Sequence, residues 1–177
     1  MKTEFETQIL DIDEKETKAK LKKIGAVAQP AELNRRWVFD IRPDHSHQWI
    51  RLRTNGKKTT LCYKKRNDNS VTGTEELEVI VDDFEKTYEM ISKLDFYFDK
   101  YYQENQSQIF VLDDIEFKID KWPMIPTLLE IEAKSKKSVE KGLKLLGFYG
   151  KDFGHQGHVK IFRQYGIDLH NFKELKF

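Results

Sequence analysis

A single cysteine, Cys62, stands among 177 residues, so the chain has no internal disulfide framework and fits a reducing compartment. Net charge is also scarce. Lys and Arg number 31 against 30 Asp and Glu, a balance of +1, although 34% of residues are charged. That near-cancellation argues against a nucleic-acid binder held by bulk charge. No apolar run approaches the length of a membrane span, and no signal peptide precedes the charges at Lys2 and Glu4. Internal repeats, low-complexity tracts and clear linkers are lacking too. The expectation is one soluble, cytoplasmic domain over residues 1–177, large enough to bury a good core.

What the chain does have is alternation. Thr127 to Ala133 puts Glu130 and Glu132 on one strand face and Leu129 and Ile131 on the other. Glu4 and Glu6 flank Phe5 in the same way. The charge-X-charge pattern returns at Arg51/Arg53, Glu76/Glu78 and Lys118/Asp120. Any one pair alone reads as a solvated strand face. If these strands share a sheet, their charged sides can line one cavity while their apolar sides pack under helices.

Along the chain, Thr3 to Leu10 reads as a first strand. Asp13 and Glu16 form a capping-box-like helix start, with Gly25 as its stop. Arg35 to Ile41 is a strand with Trp37 and Phe39 opposite Arg36, Val38 and Asp40. Asp44 to His47 reads as a turn. Trp49–Thr54 and Thr59–Lys64 form a hairpin about Asn55-Gly56, which sets Lys64 beside the two arginines. After a polar loop at 67–73, Thr74 to Val81 is a strand. Asp83 caps a helix to about Leu94. Tyr97 to Leu112 reads as one or two extended segments with a polar middle. Asp113-Asp114 turns into the strand Ile115–Asp120, and Ser135 caps a helix through Leu146 that Gly147 ends. Val159 to Tyr165 reads as one more short helix.

Carboxylate oxygens suit a hard cation such as Mg²⁺ or Mn²⁺, and Arg and Lys suit phosphate oxygens. No covalent nucleophile is needed for such a pair to act on a polyphosphate.

Glu4-x-Glu6, Arg51-Leu-Arg53, Tyr63-Lys64, Glu76-x-Glu78, Asp120-Lys-Trp122-Pro123-Met-Ile-Pro126 and Leu129-Glu130-Ile131-Glu132 occur in the order of a CYTH protein. Over most of its length the chain resembles the triphosphate tunnel metalloenzymes, among them class IV adenylate cyclases, thiamine triphosphatase and inorganic triphosphatases. The resemblance implies an α+β fold, a closed eight-stranded antiparallel β-barrel with helices packed outside. It implies that Glu4, Glu6, Glu130 and Glu132 face Mg²⁺ or Mn²⁺. Arg51, Arg53 and Lys64 would clamp the triphosphate, with Lys64 among the catalytic groups, and Glu76, Glu78 and Asp120 would support them. The substrate would be ATP, inorganic triphosphate or thiamine triphosphate, with no nucleic acid or membrane involved; a homodimer is compatible. The reaction would be cyclisation of ATP to cyclic AMP and pyrophosphate, or triphosphate hydrolysis. The alternatives are a catalytically impaired module that binds polyphosphate or nucleotide, and a structural interaction domain.

The sequence departs from the family at three places. The opening Glu-x-Glu-x-Lys has Gln8 last, and a later Lys-x-Arg pair falls near Asn105 and Ser107. Three expected cations are then neutral. Gln8→Lys would restore a phosphate contact if position 8 points inward, less so if its ammonium pairs with Glu6. Lys118 reads equally as a site cation or as a partner of Glu116 or Asp120. Trp122 reads as packing and Cys62 as a small strand residue. His45, His47, His155 and His158 read as loop residues, since no complete zinc set accompanies them.

Overall fold

In a computed structural model that describes residues 5–42, 48–66, 74–154 and 156–177, each predicted cap starts its helix. The Asp13 carboxylate accepts from the Glu16 amide at 2.7 Å ahead of α1 (Glu14–Lys23). Asp83 accepts from the Lys86 amide at 2.9 Å ahead of α2 (Phe84–Ser92). Ser135 accepts from the Ser138 amide at 3.1 Å ahead of α3 (Lys136–Leu146). Each bond satisfies a donor that the first helical turn leaves without a partner. Gly147 ends α3 at φ 76°, a left-handed position that glycine adopts without strain. A fourth helix, α4, covers His158–Gln164.

The strands are β1 (Phe5–Ile9), β2 (Val27–Ala28), β3 (Glu32–Asp40), β4 (Gln48–Thr54), β5 (Thr59–Arg66), β6 (Thr74–Val81), β7 (Asp99–Leu112), β8 (Ile115–Lys121), β9 (Leu128–Ala133) and β10 (Glu174–Leu175). Two compact units divide the chain, residues 1–32 with 106–169, and residues 33–105 with 170–177.

In the first unit the order is β1-β9-β8-β7, all antiparallel, and β2 adds a short pairing to β7. The register sets Glu6 opposite Glu132, Gln8 opposite Glu130, Glu130 opposite Lys118, and Asp120 opposite Ser107. These side chains therefore share one sheet face. The other face carries Ile9, Phe117, Ile119, Leu129 and Ile131, buried with Leu21 of α1 and Val139, Leu143 and Leu146 of α3.

Gly142 sits where α3 meets this sheet. A Cβ there would lie 3.0 Å from Ile131 Cγ2 and 3.2 Å from Phe117 Cε1, both on fully buried side chains. Alanine adds about 1 kcal/mol of helix propensity, but overpacking a closed core costs about 1–3 kcal/mol. Gly142→Ala is expected to lower the urea midpoint by the equivalent of about 1 kcal/mol with an unchanged m-value, measured by equilibrium denaturation.

In the second unit the order is β7-β3-β4-β5-β6, with β10 parallel to β7. The β4–β5 hairpin turns at Gly56, φ 84°, as its Asn-Gly signal predicts. Phe39 and Leu52 pack beneath Phe84 and Ile91 of α2, with Trp37 and Tyr88 stacked at 4.2 Å. At the end of this path β6 leaves Leu77, Val79 and Ile80 exposed.

The chain is thus mixed α+β, with a large antiparallel sheet and, among the described residues, four α-helices. The expected barrel closure is not found. Among the described residues β1 and β6 have one strand partner each, so the sheet is open. Among the described residues no helix is long and apolar enough to cross a membrane. The turn expected at 44–47 and the loop at 67–73 lie outside the described residues, as do Glu4, His45, His47 and His155.

Candidate metal and phosphate sites

Three carboxylates converge on the polar face of the first unit. One oxygen each from Glu6, Glu130 and Glu132 falls within 4.8 Å of the others. β1 supplies the first and β9 the other two, and period-two geometry aims all three to one side. Such an oxygen-only donor set fits a hard divalent cation.

Around the cluster, Lys118 Nζ lies 3.3 Å from Glu130 Oε1 and 3.0 Å from Asp120 Oδ2. Gln8 Nε2 donates to Glu130 Oε2 at 3.1 Å, and Gln8 Oε1 accepts from the Gln156 amide at 3.1 Å. Each Glu130 oxygen keeps a further lone pair beyond these contacts. Burial pushes the Glu130 carboxyl up, but the Lys118 charge, the Gln8 amide and the His158 charge outweigh it and hold it below its ordinary value. His158 lies against Trp122, ring centroids 4.4 Å apart, and Phe162 meets Trp122 edge-on at 6.0 Å. Trp122 is therefore a packed core residue, as expected, while His158 is more than a loop residue.

The second unit carries the cationic face. Arg51 and Arg53 of β4 lie on one side of the sheet with Lys64 of β5 and with Glu76 and Glu78 of β6. Lys64 Nζ is 2.5 Å from Glu76, and Arg51 is 3.8 Å from Glu78. Burial, then the neighbouring Arg53, lowers the pKa of Arg51; burial, then Arg51, lowers that of Lys64. Cations whose charge is disfavoured in this way are relieved by an anion. Cys62 is fully buried between them and its thiol is pushed up by burial, which fits a packing residue rather than a nucleophile.

The structure thus gathers Glu6, Glu130, Glu132, Lys118 and Asp120 in one unit and Arg51, Arg53, Lys64, Glu76 and Glu78 in the other. Sequence reasoning missed the use made of Gln8. It also passed over Arg36, only 8% exposed, whose guanidinium donates to Asn105 Oδ1 on the cationic face. The signal was present, since Arg36 alternates with Trp37 and Phe39.

Gln8 lies beside Glu130. It does share the acidic face, but a lysine there would meet Glu130 and remove the acceptor of the Gln156 amide. Gln8→Lys is expected to change tripolyphosphate affinity less than about threefold, because its ammonium pairs with Glu130. Calorimetric titration at fixed Mn²⁺ and salt checks this; a tenfold gain would put the ammonium on phosphate instead.

The chain is thus an α+β protein with an acidic face and a cationic face, each on antiparallel strands backed by helices. No family model and no curated protein matches the chain. Solved structures do. A Pyrococcus horikoshii protein superposes with a TM-score of 0.70 at 22% identity, over 84% of this chain and 93% of that one. A proposed adenylate cyclase from Vibrio parahaemolyticus gives 0.73 at 11% identity, over 92% and 98%. A proposed adenylyl cyclase from Hippeastrum, described as having a dominant triphosphatase activity, gives 0.58 at 14% identity, over 92% and 96%. The resemblance read from the sequence is borne out in the fold: structural neighbours over most of the chain are proposed adenylate cyclases, one with triphosphatase activity, at low sequence identity.

Proposed function

We propose that the chain is a divalent-metal-dependent enzyme acting on a small molecule that carries a triphosphate. The observation that carries this reading is the carboxylate cluster of Glu6, Glu130 and Glu132. It occurs on a fold shared with a proposed cyclase that has triphosphatase activity. Those three side chains would hold Mg²⁺ or Mn²⁺, which would neutralise phosphate charge and stabilise the leaving oxygen. Glu4 belongs to the same proposed set by its place in the sequence motif.

Arg51, Arg53 and Lys64 would bind phosphate oxygens, Arg51 and Arg53 with paired donors and Lys64 as a point charge. Glu76 and Glu78 would support the clamp through their ion pairs with Lys64 and Arg51. Asp120 would do the same for Lys118. Attack by water would release phosphate. Attack by a ribose 3′-hydroxyl on the α-phosphorus would give cyclic AMP and pyrophosphate. Placement of the substrate selects between them.

One observation favours a second reading, a polyphosphate-binding module without turnover: the position beside Glu130 is a neutral amide, Gln8. Incubation with ATP, inorganic triphosphate and thiamine triphosphate, each with Mg²⁺ or Mn²⁺, decides. Phosphate release or cyclic AMP supports the enzyme. Saturable tripolyphosphate binding without products supports the module. Neither binding nor turnover would sink both.

A further inference from the structure

On the helix-backed side of the second unit, one lysine sits among aromatic rings. Trp37 of β3 lies opposite Leu52 in the β3–β4 ladder, on the other face of the sheet from Arg51 and Arg53. Trp37, Tyr88 and Tyr97 pack there against the buried cluster around Phe39. Tyr88 and Ser92 are four residues apart and share one side of α2. Lys100 of β7 reaches that side. Its Nζ donates to the Tyr88 hydroxyl at 3.1 Å and to Ser92 Oγ at 3.2 Å. The same atom lies 4.9 Å from the ring centroid of Tyr88, 5.7 Å from that of Tyr97 and 5.9 Å from that of Trp37. Ring faces and acceptor oxygens both favour the charged ammonium, and the pKa of Lys100 is raised, chiefly by the Tyr88 hydroxyl. An ammonium has three hydrogens, so among the described residues one remains for a ligand.

Beside this ammonium is a cavity of about 320 Å³, lined by Trp37, Asp99, Lys100, Lys173 and Glu174. The volume is at the lower end of small-molecule sites, roughly 300–1,000 Å³. The end of the chain supplies part of the wall. The Tyr102 amide donates to the Lys173 carbonyl at 2.8 Å, and Lys173 Nζ lies 2.6 Å from Asp99 Oδ2. Glu174 pairs with Lys176. Each lining carboxylate thus has a lysine other than Lys100, whereas Lys100 is held by neutral hydroxyls and rings. An apolar indole and a fixed, charged donor then border one small cavity.

We propose that this cavity is a second ligand site, for a small aromatic carboxylate whose ring lies against Trp37 and whose carboxylate accepts from Lys100. The inference stands apart from the triphosphate reading and uses none of its residues. One remaining ammonium hydrogen suits a monoanion. Asp99 and Glu174 in the lining repel a polyanion, so a triphosphate is turned away here. The two classes of anion are thereby sorted to opposite faces of the β3–β4 pair.

The test is titration of the full chain with naphthoate and with its neutral amide, followed by the indole N–H resonances of Trp37, Trp49 and Trp122. Each resonance is assigned by replacing its tryptophan with phenylalanine. Naphthoate should move the Trp37 signal saturably. The signals of Trp49, which lies opposite Lys64 on the cationic face, and of Trp122 in the first unit should stay in place. The amide should bind at least about tenfold more weakly, as should naphthoate to Lys100→Gln, which can still donate to Tyr88 and Ser92 but carries no charge. Tripolyphosphate should leave the Trp37 signal unmoved. Should Lys100→Gln fail to fold, the wild-type shifts and the comparison of acid with amide decide. A Trp37 signal that does not saturate, a larger shift at Trp49 or Trp122, or equal affinity for acid and amide overturns the site. Each of these results leaves the proposed function standing, and absence of tripolyphosphate binding leaves this site standing.

Discussion

Glu132→Gln is expected to abolish most Mn²⁺-dependent turnover of tripolyphosphate while leaving the fold intact. The substitution keeps shape and removes one negative charge from a cluster whose oxygens lie within 4.8 Å of one another. An amide oxygen remains a ligand atom but a much weaker one for a hard dication. The loss should exceed the roughly 10–100-fold that removal of a mere outer partner costs a metal site. Glu132 stands directly opposite Glu6 in the β1–β9 ladder, where like charges repel. The metal-free variant should remain folded. Lost Mn²⁺ binding and turnover in a folded variant separates a ligand from a structural residue. Wild-type turnover and an unchanged Mn²⁺ titration in the variant would remove Glu132 from the site.

Lys118→Met should be the most destabilising single change on that face. Lys118 Nζ is shared by Asp120, which is 1% exposed, and Glu130. Removing one partner of a buried charge set costs about 3–5 kcal/mol. The low end, about 3 kcal/mol, is expected here, because Lys118 is itself about a third exposed. For a chain of this length that corresponds to a fall in melting temperature of about 6–12 °C.

The signs can be worked through. In wild type Glu130 titrates below its ordinary 4.5, so it stabilises the fold above that pH and the gain is lost as pH falls through the lowered value. Without Lys118 the burial that pushes it up is less opposed. The deficit of the variant should then be widest near neutrality and narrow under acid. Millimolar Mn²⁺ should return part of the lost stability, because a cation in the cluster replaces the missing charge. A variant that melts with wild type in the absence of metal would show that Lys118 balances nothing.

Much of this was legible because single residues announce it. Asp13, Asp83 and Ser135 cap helices by local bonds that need no tertiary partner. Leu129 and Ile131 against Glu130 and Glu132 set the two faces of β9 by alternation alone. Pairing register is a different kind of information. Nothing local says that Arg36 lies opposite Arg53, or that the Gln8 amide reaches Glu130, since both depend on how separate strands pair. The polar middle of β7 left one or two segments open, and Gln103, Asn105 and Ser107 are all buried in one continuous strand. They are polar because they belong to the polar side of the sheet, and composition cannot tell that from a loop. The two-residue strands β2 and β10 were illegible for a simpler reason. They are extended only because β7 is there to receive them.

The exposed strand β6 has a consequence for how the protein behaves at high concentration. Its run Leu77-Glu78-Val79-Ile80-Val81 has the high β-propensity and apolar content of a segment that recruits further strands. Glu75, Glu76 and Glu78 are threaded through and ahead of it. A second molecule laying its own β6 alongside would bring like charges together, and the stack would have to hold them in a medium drier than water. The same glutamates that pair with Arg51 and Lys64 would thus also oppose strand stacking. Trading Glu76 and Glu78 for neutral residues to tune ligand binding would lower the colloidal stability of the protein as well.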